Sequence, residues 1–463
     1  MKSNKTALIS YYPLFDDVLK LDKTTIKIFD IKNIICLNYE IPFELNPYNH
    51  EYINKLCVER NYDVFKSIKN LLFLNIKNIP NNKNVRSLDY EKICHNYFLS
   101  IFREESYINS KKIKKQIKTL SRSCKIIEIE IENFLKKNNF DKVFLFNTRF
   151  PTGSAISHSC KKLNIEMINY DLLANARIHY SRNRTFYHPE SFKDAIDKEF
   201  QNIQDQKLIK FGEKFISYRQ QKKFIAYKVF NKRQINGKLP KKAEKKFICV
   251  FTNSVDEGKF YAESYGFIPV DQTKEIEKII SICKNLSIQV IVRIHPNYAN
   301  SEQEKYLTKK YHGSRNLIIK GNSECDTYQL LKSSIANISF GSSTGLESIL
   351  LDKPSYLIGP SLYQEVVKIK KFDDASLCIK EIINFKQSKE KINHQILIDS
   401  CKWFAYLSGE YCGDSVKKRN IELPKKIFRF KLLFLFWRLE RILSYPIKFN
   451  IIRVYKILKE NLK

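Results

Sequence analysis

Four stretches concentrate the side chains able to do chemistry, and each follows an apolar run. In FGSSTGLESILLDKP, Gly341, Ser342, Ser343 and Thr344 stand between such a run and a helical pattern that begins near Leu346. Small residues let backbone amides approach an anion closely. Three hydroxyls, the free amides of a first helical turn and the positive end of the helix would together hold a phosphate. Serine used only as a helix cap is the plain alternative. Glu347, one turn into the helix, can accept from ribose hydroxyls or cap Ser343 or Thr344.

In QVIVRIHPNYAN an apolar strand ends at Arg293 and His295 and is stopped by Pro296. Alternation along a strand sends Arg293 and His295 to one side. A guanidinium and an imidazole there can hydrogen-bond phosphates or a leaving diphosphate. In FICVFTNSVDEG the candidates are Thr252, Asn253, Ser254, Asp256 and Glu257, whose carboxylates can orient a sugar or act as a base. In FLFNTRFPTGSA they are Asn147, Arg149 and Thr152, with Arg149 suited to an acceptor or a donor phosphate. Asp171, at the end of INYD, is a second candidate base. No Asp-x-Asp occurs, which removes the usual metal-diphosphate clamp. The expectation is chemistry without a metal and without a cofactor.

These residues need strand ends to hold them, and the chain supplies the strands. A length of 463 residues allows two large domains or three smaller ones. DKVFLFN, then a turn and helix in NTRFPTGSAISHSCKKL, then IEMINYD make a strand–helix–strand unit of the parallel type. FICVFT, QVIVRIH, NLIIK, IANISF and PSYLIG repeat the alternation, with helical patterns near Thr273 to Asn285 and near Gln303 between them. Strands apolar on both faces are those of a doubly wound sheet. The predicted fold is α/β: two Rossmann-like domains facing a cleft, followed by a basic amphipathic helical tail. Residues 1–233 form the acceptor-side domain, 234–246 a solvated linker rich in Gly, Pro and Lys, 247–416 the nucleotide-sugar-binding domain, and 417–463 the tail.

Composition narrows the partners. Lys and Arg number 81 against 49 acidic residues, a formal net charge of +32, with 43% hydrophobic residues for packed cores. Such a surplus favours anionic partners and says nothing about fold. The basic residues are spread along the chain and no zinc-finger or RNP pattern interrupts them, so nucleic acid is not expected. The 11 cysteines are scattered from Cys36 to Cys412 without a Cys-x-x-Cys pair, as in a cytosolic protein with reduced thiols. No export signal is visible near Met1, and no apolar run approaches the roughly 20 residues of a spanning helix. The tail carries 14 Lys or Arg against three Glu and includes IFRFKLLFLFWRLERIL. It suits an anionic membrane surface, or alternatively packs as a helix on the protein itself. The expected location is cytoplasmic and peripheral on the inner face of the membrane.

Taken in order, FNTRFPTGSA, VFTNSVDE, VRIHPN and SFGSSTGLESILLDKPSYLIG resemble bacterial capsule and surface-polysaccharide biosynthesis proteins of the GT-B glycosyltransferase type, over about Asp141 to Tyr363. The related sialyl- and Kdo-type transferases place a His-Pro pair and a Ser-Ser or Ser-Thr pair around a nucleotide. By similarity these are His295, Pro296, Ser342 and Ser343. Asp256-Glu257-Gly258 resembles the acidic-acidic-Gly motif that supplies their base. The resemblance implies a nucleotide-sugar donor, a glycan or glycolipid acceptor, and Asp256 or Asp171 as base. A nucleotide-sugar 2-epimerase, a teichoic-acid-type polyol-phosphate transferase and a non-catalytic basic membrane or nucleic-acid binding protein are the alternatives.

Overall fold

The computed structural model describes residues 5–11, 16–39, 58–59, 61–68, 70–76, 88–102, 108–173, 177–185, 188–223, 232–255, 269–388 and 392–411. The chain packs as two compact units that interleave in sequence. The described part of the first lies within Met1–Ser87 and Thr119–Ile168, that of the second within Leu88–Lys118 and Asn169–Lys418.

The opening elements are β1 (Thr6–Ser10), α1 (Asp16–Phe29), β2 (Asn33–Tyr39), β3 (Asn70–Ile76), α2 (Leu88–Phe102) and α3 (Lys111–Asn138). Then come β4 (Lys142–Phe146), α4 (Pro151–Lys162), β5 (Glu166–Leu173) and β6 (Arg177–Arg182). These strands form one sheet in the order β3-β2-β1-β4-β5-β6, and β1 pairs in parallel with both β2 and β4.

After α5 (Pro189–Phe200) and α6 (Asp205–Gln220) the second sheet begins with β7 (Phe247–Phe251). It continues through α7 (Gln272–Asn285), β8 (Gln289–Arg293), α8 (Glu302–Lys310), β9 (Leu317–Ile319), α9 (Thr327–Ser333) and β10 (Ala336–Ser339). It closes with α10 (Thr344–Ile349), β11 (Ser355–Ile358), β12 (Lys371–Phe372), α11 (Ala375–Ser388) and α12 (His394–Ser408). The sheet order is β12-β11-β10-β7-β8-β9. Counted from each sheet's first strand, both halves follow 3-2-1-4-5-6, the order of dinucleotide-binding folds. Two doubly wound α/β halves are therefore present, as the sequence predicts.

The second sheet is covered on both faces, which explains its unbroken apolar strands. Phe247, Cys249, Phe251, Ile291 and Leu357 belong to one core with residues of α5, α6 and α12, including Phe192, Phe215 and Phe404. Ile248, Val250, Val290, Val292 and Ile338 belong to another with Ile276, Ile279 and Ile379 of α7 and α11. Each fully buried side chain of this kind contributes about 1.5–3 kcal/mol. Segment 234–246, read as a solvated linker, is mostly solvent-facing but tied to the second unit. Ile235 N donates to Glu324 O at 2.8 Å, Asp326 N to Lys238 O at 2.8 Å, and Glu244 N to Gln289 Oε1 at 2.8 Å. The tail, 417–463, lies outside the described residues.

Candidate active site

In a sheet of this order, ligands bind beyond the carboxyl ends of the strands where the winding reverses. In the second sheet that point lies between β7 and β10. Register sets the geometry: Phe251 pairs with Arg293 of β8 on one side and with Ser339 of β10 on the other. The residues that follow these three emerge side by side. A cavity of about 340 Å³ opens there, within the second unit, lined among others by Asn253, His295, Gly341, Ser342 and Thr344. That volume falls in the range of small-ligand sites.

The loop after β7 is held by reciprocal bonds. Asn253 N donates to Gln272 Oε1 at 3.0 Å, and Gln272 Nε2 donates to Asn253 O at 3.4 Å. Thr252 Oγ1 accepts from His295 N at 2.8 Å. His295 caps the turn Pro296–Tyr298, its Nδ1 accepting from Asn297 N at 3.2 Å with Ser254 Oγ 3.5 Å away. An acceptor Nδ1 assigns the proton of the neutral ring to Nε2.

The loop after β10 turns on Gly341, whose φ is +87°. A Cβ there would stand 2.8 Å from Pro360 O. The short α10 starts as a tight turn: Gly345 N donates to Ser342 O at 3.1 Å, and Leu346 N and Glu347 N to Ser343 O at 3.0 Å. The first-turn amides, expected to hold an anion, are thus already engaged by carbonyls. Serine capping is found in part: Thr344 N donates to Ser342 Oγ at 3.4 Å. Ser343, at the N-cap, makes no side-chain cap bond, while Ser342 Oγ accepts from Thr344 Oγ1 at 2.9 Å. What the loop offers a ligand is its hydroxyls.

Arg293 lines the cavity, but its guanidinium is engaged: Nη1 donates to Lys320 O at 3.1 Å and Nη2 to Ser323 O at 3.3 Å. Burial lowers its pKa, opposed by nearby Cys325, Cys249 and Glu304. Glu347 is 2% exposed and also lines the cavity. Its Oε2 accepts from Tyr328 OH at 2.5 Å, and its Oε1 lies 3.6 Å from Arg219 Nη2. Arg219 Nε donates to Tyr328 OH at 3.1 Å. Burial, then the adjacent Glu347, push the Tyr328 phenol well above its ordinary pKa.

Arg219 and Tyr328 were not among the sequence candidates. Their signal was indirect: an acid in the otherwise apolar helix GLESILL has to be buried with a partner. Trp403 and Leu407 of α12 also line the cavity, and nothing in their helical spacing separated them from core.

Of the other candidates, Asp171 lies in β5, next to Leu172 and Leu173 of the cavity wall, and its Oδ1 accepts from Leu172 N at 2.6 Å. Asp256 and Glu257 lie outside the described residues. Asn147 and Arg149 belong to the first unit, at the carboxyl end of β4. Asn147 has φ +27° and its Oδ1 accepts from Arg149 N at 3.1 Å, which makes it the residue that shapes the turn. Arg149 lies over the Phe150 ring at 5.2 Å. Thr152 is fully buried in α4.

No family model matches the chain, and no curated protein matches it by sequence. Among solved structures it is similar to Thermosulfurimonas dismutans KpsC, beta Kdo 2,7 transferase, at 11% identity and a TM-score of 0.36, over 59% of this chain and 80% of that one. It is also similar to Methanocaldococcus jannaschii UDP-GlcNAc 2-epimerase in complex with UDP-GlcNAc and UDP, at 13% identity and a TM-score of 0.29, over 88% and 99% of the two chains. Rickettsia bellii UDP-N-acetylglucosamine 2-epimerase aligns at 12% identity and a TM-score of 0.29, over 92% and 95%. Likeness this loose leaves the fold assignment to rest on strand order.

Proposed function

We propose that the protein is a metal-independent glycosyltransferase that moves a sugar from a nucleotide-activated donor to a surface-glycan acceptor. The observation that carries this reading is the meeting of His295, Asn253 and the Gly341–Thr344 loop around one cavity at the switch point of the second sheet. In this reading the donor phosphate lies against the hydroxyls of Ser342, Ser343 and Thr344, and His295 Nε2–H donates to a phosphate oxygen. Asn253 and Ser254 hold the loop facing it, and Glu347 accepts from ribose hydroxyls. Arg293 shapes the strand end from beneath.

The acceptor hydroxyl attacks the anomeric carbon, and the bond from that carbon to the phosphate oxygen breaks with its electron pair leaving on the nucleotide. The hydroxyl proton passes to a carboxylate, Asp171 or Asp256. Donors fixed before the reaction act where charge grows, which is the most effective use of a hydrogen bond. Asn147 and Arg149 are this reading's candidates for acceptor contacts.

A thermal-shift panel of UDP-, CMP- and GDP-sugars identifies the donor, because a ligand at a hundred times its Kd stabilises by about 2.7 kcal/mol. With that donor, His295→Ala and Ser342→Ala should each lower transfer at least about a hundredfold, the loss typical of one preorganised donor, while circular dichroism stays unchanged. Full activity in both variants removes the site from the reaction. Epimer formation in a single turnover without acceptor would replace transfer by 2-epimerisation.

A further inference from the structure

We infer a second binding site, outside the cavity above, formed by α8 and the loop after β9. It takes a segment of acidic glycan, whose carboxylate or phosphate groups meet Lys305, Lys309, His312 and Lys320. This rests on the surface-glycan reading above and adds to it the charge of the glycan and the residues that recognise it.

A cavity of about 500 Å³ opens in the second unit, lined by residues of α8, of the turns at its two ends and of the loop after β9. Lys305, Thr308, Lys309 and His312 follow the i, i+3, i+4, i+7 spacing that gathers side chains on one face of a helix and its closing turn. Lys320 joins them from the end of β9. The three lysines and His312 are exposed, and among the described residues no acidic side chain pairs with them. The neighbouring face of α8 is different: Lys310 Nζ and Tyr306 OH both donate to Glu277 Oε1 of α7, at 2.6 and 2.7 Å. The helix dipole accounts for Lys309 in the last turn, but not for Lys305 near the start or for Lys320 on another element. The acid in the cavity wall, Glu304, is 3% exposed and engaged elsewhere. Its Oε1 accepts from Asn300 N at 3.1 Å and its Oε2 from Gly321 N at 2.7 Å. Glu304 thus ties the start of α8 to the loop that carries Lys320.

That loop is fixed from behind as well. Arg293, which lines the first cavity, donates from Nη1 to Lys320 O at 3.1 Å, and a Cβ on Gly321 would stand 2.9 Å from His295 O. The two cavities therefore share a wall element, which suits one chain that is gripped at the second while its end reacts at the first. Charge and shape select the ligand. Lys305 and His312 are seven residues apart, roughly 10 Å at helical rise, so the cations match an anion whose charges repeat and not a single phosphate. A cavity takes a chain and not a flat bilayer. Single-stranded nucleic acid needs aromatic faces for its bases, and among the wall residues only His312 carries a ring. Sugar hydroxyls need small polar partners. Asn300 supplies an amide, and Thr308 Oγ1 is buried without a hydrogen-bond partner among the described residues, an unmade bond in the cavity wall.

The test is equilibrium binding of a fluorescently labelled galacturonic-acid hexasaccharide to the full chain at about 0.15 M salt, with labelled maltohexaose as the neutral chain of the same length. The acidic chain should bind at least about tenfold more tightly than the neutral one, as expected for hydrogen bonds to charged groups. Lys305→Glu combined with Lys309→Glu should weaken it at least about tenfold. The same change of net charge in the first unit, Lys137→Glu combined with Lys161→Glu, should leave it within about threefold, because salt screens charges that do not touch the ligand. Equal binding of the acidic and neutral chains overturns the inference, as does undiminished binding by the α8 double variant, folded by circular dichroism, or an equal loss in the first-unit variant. Displacement of the labelled chain by inorganic phosphate at equal concentration would reduce the site to one for a single anion and overturn it too. Binding of phosphatidylglycerol vesicles or single-stranded DNA in place of the glycan, lost in the α8 double variant, would give the cavity to that partner instead. No nucleotide enters this assay, so its failure leaves sugar transfer standing. A chain that binds the acidic glycan but transfers no sugar would keep the second site and lose the acceptor reading.

Discussion

Gly341 is the residue on which the candidate site turns. Its left-handed φ of +87° is open to glycine and costs other residues roughly 1–2 kcal/mol. The neighbouring atoms add to that, since a Cβ would lie 2.8 Å from a backbone oxygen, Pro360 O, and 3.3 Å from Asn253 Nδ2. A backbone oxygen cannot swing aside as a side chain can. Gly345 is constrained differently: its missing Cβ leaves room for Ser339 Oγ, 2.6 Å from where it would stand, so that α10 packs directly on β10. Gly341→Ala should lower the unfolding free energy in urea by about 2–3 kcal/mol, and should weaken pyrophosphate binding by moving Ser342. A variant as stable as the wild type would mean that the loop relaxes into another turn and that the left-handed geometry is not required. The glycine and the hydroxyls were legible because small residues after an apolar run have few structural uses. Arg219 and Tyr328 were not, because pairing across α6, α9 and α10 is a tertiary fact that no local spacing encodes.

A buried polar clamp within the second unit ties β6 to α5 and α12. Arg177 forms a two-point pair with Glu199 at 3.0 and 2.8 Å, and its guanidinium lies over the Tyr406 ring at 3.7 Å. Two residues on, His179 meets Tyr406 OH through Nδ1 at 2.6 Å and Ser191 Oγ through Nε2 at 3.2 Å, and stacks on Phe192 at 4.5 Å. Burial, and secondarily the charge of Arg177, lower the His179 pKa to about 3. In the unfolded chain the ring takes a proton near 6.5. Between these values the unfolded state holds more protons than the folded one. Stability from this group is therefore fully present above about pH 6.5 and declines as pH falls toward 3, by about 1.4 kcal/mol per unit. Melting temperature should drop between pH 7 and pH 5, and the drop should be smaller in His179→Gln even though that variant starts lower. Equal drops in both proteins would assign the acid sensitivity to other groups. Elements such as β7, β8 and β10 were legible because burial on both faces leaves unbroken apolar runs. α12 was not singled out: its contacts to β6 and α5 depend on the fold bringing distant stretches together, and its own pattern reads as any apolar helix.

At the scale of the whole chain, two sheets of one strand order account for the fold, and the charge of +32 accounts for something else. Among the described residues no helix is long and apolar enough to cross a membrane. A large positive surplus guides encounters with anionic surfaces without shaping the fold. One strongly basic and aromatic stretch, 417–463, is where the sequence suggests a membrane contact, and we propose that the tail holds the protein against anionic lipid. Aromatic side chains would enter the interface while basic ones meet head groups, each worth about 1 kcal/mol near the surface. The full chain should pellet with vesicles containing phosphatidylglycerol and not with phosphatidylcholine alone. The bound fraction should fall as added salt shortens the screening length. Replacing Lys425, Lys426, Arg429 and Lys431 together by Glu removes four such contributions and should lower partitioning at least about a hundredfold. Undiminished pelleting of that variant would move the membrane contact away from the tail, and equal pelleting on neutral vesicles would show that charge does not drive it.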